Sequence, residues 1–573
     1  MNAWVWRGLV VILSLGLVGT SQPLKAAPLD VCQAMASADW ATATNWSCGH
    51  APTSIDAAML PAGVTLAVNT DSEVGDLTLA TGGTRISFNN GALLNIHGTL
   101  ATTATATSSL ITGNGRVRMV GGARQLFAPS WSAGTPGLRL EVALDSGAVG
   151  ISAQGVKGGE ILISSGAFST TNDVRPDNGA SNTGNLLIAA GAALITAGEI
   201  ERTGAAGEQA ASIIVSGTLE TSGARLSANN ITIATGGLLR VKRAAGLTIA
   251  GAINYSAGST LEYAGNAAQT TGGELTTTAA ALRVANAAGV TLNKSTTVNG
   301  ELALISGALT TGAYTLTLGD LATCTGGYEV IGNVQRLGPT LATTACFGHP
   351  HTSLTFTSGA PPSSAAIKLS SGTPPFAGAV ARQYTVSAPG FTGAATLRLH
   401  YLDSELNGAT EANLHLWRFD GSRWRLMGRS AIDAANNYVE LADVTAFSDW
   451  AIAEKGEPTA VTVVDFHAET HVDGIHLLWE TADETLNAGF HVLRSESHAV
   501  HGARITTELI PSQTAGSVGG AVYHYIDATP STAAKRFYWL DDVELTGATA
   551  RHGPVVVQQT SGWLPLVTAA ASE

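Results

Sequence analysis

The sequence predicts an all-β protein: a right-handed parallel β-helix (a β-solenoid) followed by two β-sandwich domains. Three observations predict it. Short apolar-alternating strands separated by Gly recur from about Gly63 to Asp320, as in residues 161–170 (ILISSGAFST), 187–196 (LIAAGAALIT), 213–221 (IIVSGTLET) and 231–241 (ITIATGGLLRV). The composition, with 66 Gly and only 13% charged residues, is unlike that of a helical protein, whose helix faces need Glu and Lys beside Leu. Aromatic and charged residues then become frequent from Cys324 onward. A strand–Gly–strand unit cannot bury its apolar face alone, so copies must stack.

With 573 residues the chain is too long for one core. Its formal charge of -13 and lack of clustered Lys and Arg argue against a nucleic-acid partner. Arg7, the apolar run 8–18 and the small residues near Ser21 and Ala26 follow the order of a secretory signal peptide, expected over 1–26. The run is shorter than the roughly 20 residues of a spanning helix, so no membrane span is expected in the mature chain. Export makes Cys32 with Cys48, and Cys324 with Cys346, most simply two disulfides closing short loops.

Residues 27–62 are read as an N-terminal cap, because an open solenoid end exposes unpaired strand edges. Trp40, Asn45, Trp46, Gly49 and Pro52 form a W-x(n)-N-W-x-x-G-x-x-P stretch there. That stretch resembles the start of exported bacterial repeat proteins. An aromatic pair also stacks on sugar rings, but two Trp beside a disulfide are expected to pack.

The solenoid is expected over 63–322. Period-two alternation places one side of each strand inward, and small residues allow tight corners. Like segments start at Ile161, Leu187, Ile213 and Ile231. Rungs of about 20 residues suit a β-helix, whereas propeller blades repeat near 40–45. On the order of a dozen rungs at ~4.8 Å would make a rod roughly 60 Å long. Tyr263-x-Gly265, Ala268-Gln269-Thr270 and the series Val290, Leu292, Val298, Asn299, Gly300, Leu302, Leu304, Gly307 and Leu309 close this region. They resemble the rod repeats of exported, adhesin-like bacterial surface proteins, a resemblance covering about half the chain that speaks to architecture more than to activity.

Alternating strands with Gly, Asn and Pro turns over 323–455 predict the first sandwich, with Trp417, Trp424 and Trp450 as core anchors. The Leu399-x-Tyr401-Leu402-Asp403, Asn407-Gly408 and Phe447-Ser448-Asp449-Trp450 phrases look like the β-sandwich that follows such rods. Glu457, Pro458 and Thr459 mark a linker. Over 459–558, Leu477-x-Trp479-Glu480-Thr481, Gly489-Phe490-x-Val492 and Tyr538-Trp539-Leu540 resemble a fibronectin-type-III-like module, which implies a spacer or contact surface. Residues 559–573 are read as a flexible tail.

The expected role is therefore a secreted or cell-surface, adhesin-like structural protein, with glycans or extracellular proteins as partners and no cofactor. The main alternative is a carbohydrate-active β-helix enzyme, a lyase or glycosidase; an inert spacer in an envelope assembly is a third. Such enzymes need carboxylates converging on a groove, and Asp173, Arg175 and Asp177 are the best local candidates. Their plainer role is a solvated corner at Pro176. Cys324, Cys346, His349 and His351 match no closed zinc spacing, and His467, His471 and His476 read as ordinary exposed strand residues, so no metal site is expected.

Overall fold

A computed structural model of the protein describes residues 31–80, 83–102, 111–126, 138–152, 156–176, 184–201, 210–454, 461–484, 487–498, 502–514, 520–529, 533–545 and 547–558. The expected signal peptide, the linker at Glu457, Pro458 and Thr459, the tail and Asp177 lie outside the described residues. The protein is nearly all β, with a parallel β-solenoid of about 12 turns over residues 31–336 and antiparallel sheets after it. Two compact units divide the chain. The first runs up to Leu219 and includes Arg225–Ile231 and Ala250–Ala252; the second comprises Glu220–Ala224, Thr232–Ile249 and the chain from Ile253.

In the first unit, Val31–Gln33, Ala57–Leu60, Leu77–Leu79 and Leu100–Thr102 stack in parallel. A second sheet runs through Leu93–Ile96, Arg116–Gly121, Arg139–Leu144, Glu160–Ser165, Asn185–Ile188 and Ala210–Val215, also in parallel. Alternation does what the sequence predicts: Leu66 and Val68 pair in register with Ile86 and Phe88, and all four are buried. Each such side chain contributes roughly 1.5–3 kcal/mol through apolar burial. Corners are so close that the Cβ of a substituted Gly113, at φ +101°, would lie 2.0 Å from the Phe88 carbonyl oxygen of the previous coil.

Segment 31–48 supplies the first coil. Val31–Gln33 and Ala38–Asp39 are terminal strands of two parallel sheets, and Cys32 is bonded to Cys48. Trp40 and Trp46 are 1% exposed, meet edge to face at 4.9 Å, and are joined by the Trp46 indole N–H donating to the Trp40 carbonyl at 2.8 Å. Neither ring presents a face for a sugar.

In the second unit, Leu238–Val241, Thr260–Tyr263, Leu282–Ala285, Glu301–Ser306 and Thr323–Gly326 continue the parallel stacking. The Tyr263-x-Gly265 and Ala268-Gln269-Thr270 phrases gain a physical meaning. Buried Gln269 donates to the Val241 and Arg243 carbonyls and accepts from the Gly265 and Asn286 N–H groups, tying neighbouring coils together. The Tyr263 hydroxyl donates at 2.6 Å to Glu274, a fully buried carboxylate that also accepts from the Leu247 and Gly272 backbones.

Charged residues on the solenoid faces pair from coil to coil. In the first unit the buried Glu141 carboxylate takes Arg116 at 2.9 Å, Arg118 at 3.2 Å and the Ser164 hydroxyl at 2.9 Å. In the second, Arg240 lies in register with Glu262, which lies in register with Arg283. Arg240 reaches Glu262 at 2.6 Å and Glu220 at 3.1 Å, while Arg283 approaches Glu262 at 3.4 Å. Charge-assisted hydrogen bonds of this kind contribute about 1.5–3 kcal/mol. Arg240→Ala is expected to cost that amount in a urea titration, with most of the loss persisting in 1 M salt because Glu262 is buried. A loss below about 0.5 kcal/mol would reduce the ladder to surface decoration.

The parallel and antiparallel regions share a strand. Val330–Leu337 pairs in parallel with Leu309–Leu318 on one side and antiparallel with Ser364–Ser371 on the other. The second disulfide, Cys324–Cys346, links the last strand of the parallel sheet, Thr323–Gly326, to Ala345–His349. Beyond it, Trp417, Trp424 and Phe376 pack in one buried cluster, as expected of core anchors. In the last region, Thr462–His471, Gly474–Asp483 and Val522–Asp527 form one sheet, and Asn487–Ser495, Lys535–Glu544 and Thr549–Gln558 form another. Trp479 and Tyr523 from the first meet Phe490 and Tyr538 from the second in a common core.

Candidate functional site

The stretch expected as a solvated corner is instead a short strand, Val174–Pro176, paired in parallel with Val156–Gly158 and with Val174 and Pro176 buried; Asp173 immediately precedes it. Val174 and Ile200 occupy successive coils, with Leu226 on the next. This stacking brings the Asp173, Glu199 and Glu201 carboxylates near one another. Asp173 accepts from Arg175 at 2.8 Å on one oxygen and from the Glu199 backbone N–H at 3.0 Å on the other. The Glu201 carboxyl is raised above its ordinary value by burial and by the charges of Glu199 and Asp173. Glu199 and Glu201 escape a local reading because they lie a whole coil beyond Asp173.

A denser cluster occurs in the second unit, built from strands far apart in sequence. Glu329, Arg382, Tyr384 and His400 are buried, and Arg382 is 0% exposed. The Arg382 guanidinium donates to both Glu329 oxygens, at 2.9 and 3.1 Å, and its Nε donates to Glu405 at 2.6 Å. It also reaches the Tyr384 hydroxyl at 2.8 Å and the His400 carbonyl at 2.7 Å. His400 Nδ1 lies 2.6 Å from Glu329. The His349 ring tilts against that of His400 at 3.8 Å, and the His351 ring stacks on Tyr438 at 5.4 Å.

The electrostatics follow from this packing. Burial pushes the Glu329 carboxyl upward, but the hydrogen bond from His400 and the charge and hydrogen bonds of Arg382 outweigh it, holding it at about 2. Burial, reinforced by neighbouring His400, pulls the His349 imidazole down to about 3, so the ring is neutral at pH 7. The His351 backbone N–H donates to His349 Nδ1 at 3.1 Å, placing the proton of the neutral ring on Nε2.

Glu329, His349 and His400 bring potential ligand atoms within 4.8 Å of one another. The guanidinium nevertheless occupies both Glu329 oxygens, and the crevice beside them leaves no room for a water molecule. The arrangement therefore suits an ionic staple. Cys324 and Cys346 are bonded to each other, which removes both thiolates from any set with His349 and His351. Two surface hollows in the second unit, of about 210 and 150 Å³, are smaller than the roughly 300–1,000 Å³ of small-molecule sites.

Arg382 carries a signal that is legible in the sequence. Val380, Arg382, Tyr384 and Val386 are alternate residues of one strand, so a charge stands at a core position. Its partners, 53 positions earlier at Glu329 and 23 later at Glu405, leave no such mark. No protein-family profile, curated protein or solved structure matches the chain.

Proposed function

We propose that the chain is a secreted or cell-surface, adhesin-like structural protein, in which a stiff β-solenoid and a fibronectin-type-III-like end module present surface for glycans or extracellular proteins. The observation that carries this reading is the pairing of charges from coil to coil, at Glu141 and along Arg240, Glu262 and Arg283. It makes each coil a mechanical support of the next. The two disulfides support an oxidising compartment, and Thr and Ser on the outward positions of alternating strands offer many weak polar contacts.

The carbohydrate-active alternative keeps one specific observation, the raised Glu201 carboxyl beside Asp173 and Glu199, since a general acid needs such an elevation. One experiment separates the readings. The secreted, oxidised protein is screened against polysaccharides and matrix proteins for both retention and release of new sugar ends. Retention without release is expected. Release abolished by Glu201→Gln would replace the structural reading by the enzymatic one, and neither retention nor release would leave a spacer.

A further inference from the structure

In the last region, the hairpin of Thr462–His471 and Gly474–Asp483 turns through Val472 and Asp473, and Val522–Asp527 pairs along its other side. Leu478 stands opposite His524 and Ile526 opposite His476, so the two histidines are diagonal neighbours across adjacent strands. Side chains so related are within reach of each other. His476 Nδ1 and His524 Nε2 lie 3.0 Å apart. On the other side of the His476 ring, Nε2 lies 2.9 Å from Asp473 Oδ1. The His471 ring stacks on His476 at 4.0 Å and limits its rotation.

We propose that His476 Nδ1 and His524 Nε2 chelate a divalent transition-metal ion of the imidazole-preferring kind, such as Zn²⁺ or Cu²⁺, on the outer face of this sheet. A carboxylate only accepts, so the Asp473 contact places the His476 proton on Nε2 and leaves the Nδ1 lone pair directed at His524. Metal-ligating histidines are oriented by this carboxylate contact on the remote nitrogen. Two imidazole nitrogens on one tetrahedral zinc ion stand ~3.3 Å apart at ordinary Zn–N distances, close to the separation already present. Without metal, His524 Nε2–H donates to His476 Nδ1. With metal, His524 carries its proton on Nδ1, and the ion takes the place of the shared hydrogen without net change in protonation. Imidazole suits zinc, copper and nickel more than calcium or magnesium. The remaining coordination positions face solvent, open to water or to a ligand from another molecule.

The site is distinct from the buried Glu329 cluster, where a guanidinium already takes the carboxylate. It escaped the sequence because His524 lies 48 residues from His476 and is brought beside it only by strand pairing.

The test is calorimetric titration of the chelator-stripped full chain with Zn²⁺ at pH 7.5, alongside Cu²⁺ electron paramagnetic resonance for nitrogen hyperfine structure. One site of highest affinity is expected. His476→Ala with His524→Ala should abolish it together with the two-nitrogen signature, and Asp473→Asn should weaken it about tenfold or more. His415→Ala, at a half-buried histidine elsewhere, should change nothing. Unchanged circular dichroism and urea midpoints establish that the variants fold. Affinity within twofold of the parent in the double variant, or no Zn²⁺ binding by the parent, would overturn the proposal.

Discussion

Arg382→Ala is expected to lower the stability of the full chain by about 3–5 kcal/mol, the usual consequence of removing one partner from a buried ion pair. The magnitude arises from what stays behind. Glu329 and Glu405 would each retain a buried or nearly buried carboxylate, and the Tyr384 hydroxyl and His400 carbonyl would lose a donor. Replacing Glu329 by Gln should cost less, because Arg382 keeps Glu405 and the amide still offers an acceptor. Urea titration followed by tryptophan fluorescence distinguishes the two, since Trp417 and Trp450 are buried in the same antiparallel region. A loss under about 1 kcal/mol for Arg382→Ala would mean that the freed carboxylates reach water, which would contradict their burial.

The second large effect is acid sensitivity set by His349 and Glu329. Folded His349 stays neutral down to about 3, whereas the unfolded chain takes up its proton near 6.5. Stability is therefore unaffected by this group above about pH 7 and falls as pH drops from about 6.5 toward 3, by up to ~1.4 kcal/mol per pH unit. Glu329 acts with the same sign lower down. Its carboxyl is held at about 2 against an ordinary 4.5, so its contribution is complete above the unfolded value and is lost as pH falls through about 2. Denaturant midpoints between pH 7.5 and 4.5 should decline steeply for the parent and less steeply for His349→Asn. Parallel curves would show that His349 takes up its proton without unfolding.

The acidic fall matters for a protein read as a stiff presenter of surface. Charge pairing along the solenoid stabilises one coil against the next. The Arg382 cluster holds together strands on which the antiparallel region begins. Glu329 immediately precedes Val330–Leu337, the strand that changes from parallel to antiparallel partners. Loss of the cluster should therefore be felt where the solenoid hands over to the next sheet.

Ile161, Ile163, Leu186 and Ile188 announce their buried positions by simple alternation, because side-chain direction in a strand is set by the backbone with period two. Trp40 and Trp46 were legible as packing residues from their place beside Cys48. The two disulfides were legible from the local spacing of Cys32 with Cys48 and of Cys324 with Cys346. By contrast, the Glu141 and Glu262 ladders need the registers that set Arg116 and Arg240 beside them, and those registers follow from how much chain each corner holds.

The all-β class, the stacked solenoid, the inward residues of each strand and both cysteine pairs are written in the order of residues along the chain, as consequences of short-range geometry and of copies too small to bury their own faces. Which charges meet is settled by strand pairing in space. Glu329 and His400 are 71 positions apart, and His476 and His524 are 48 apart. Electrostatic contacts act over a few ångströms in space and leave no period in the chain, so their partners are chosen by strand register and become visible only once the sheets are paired.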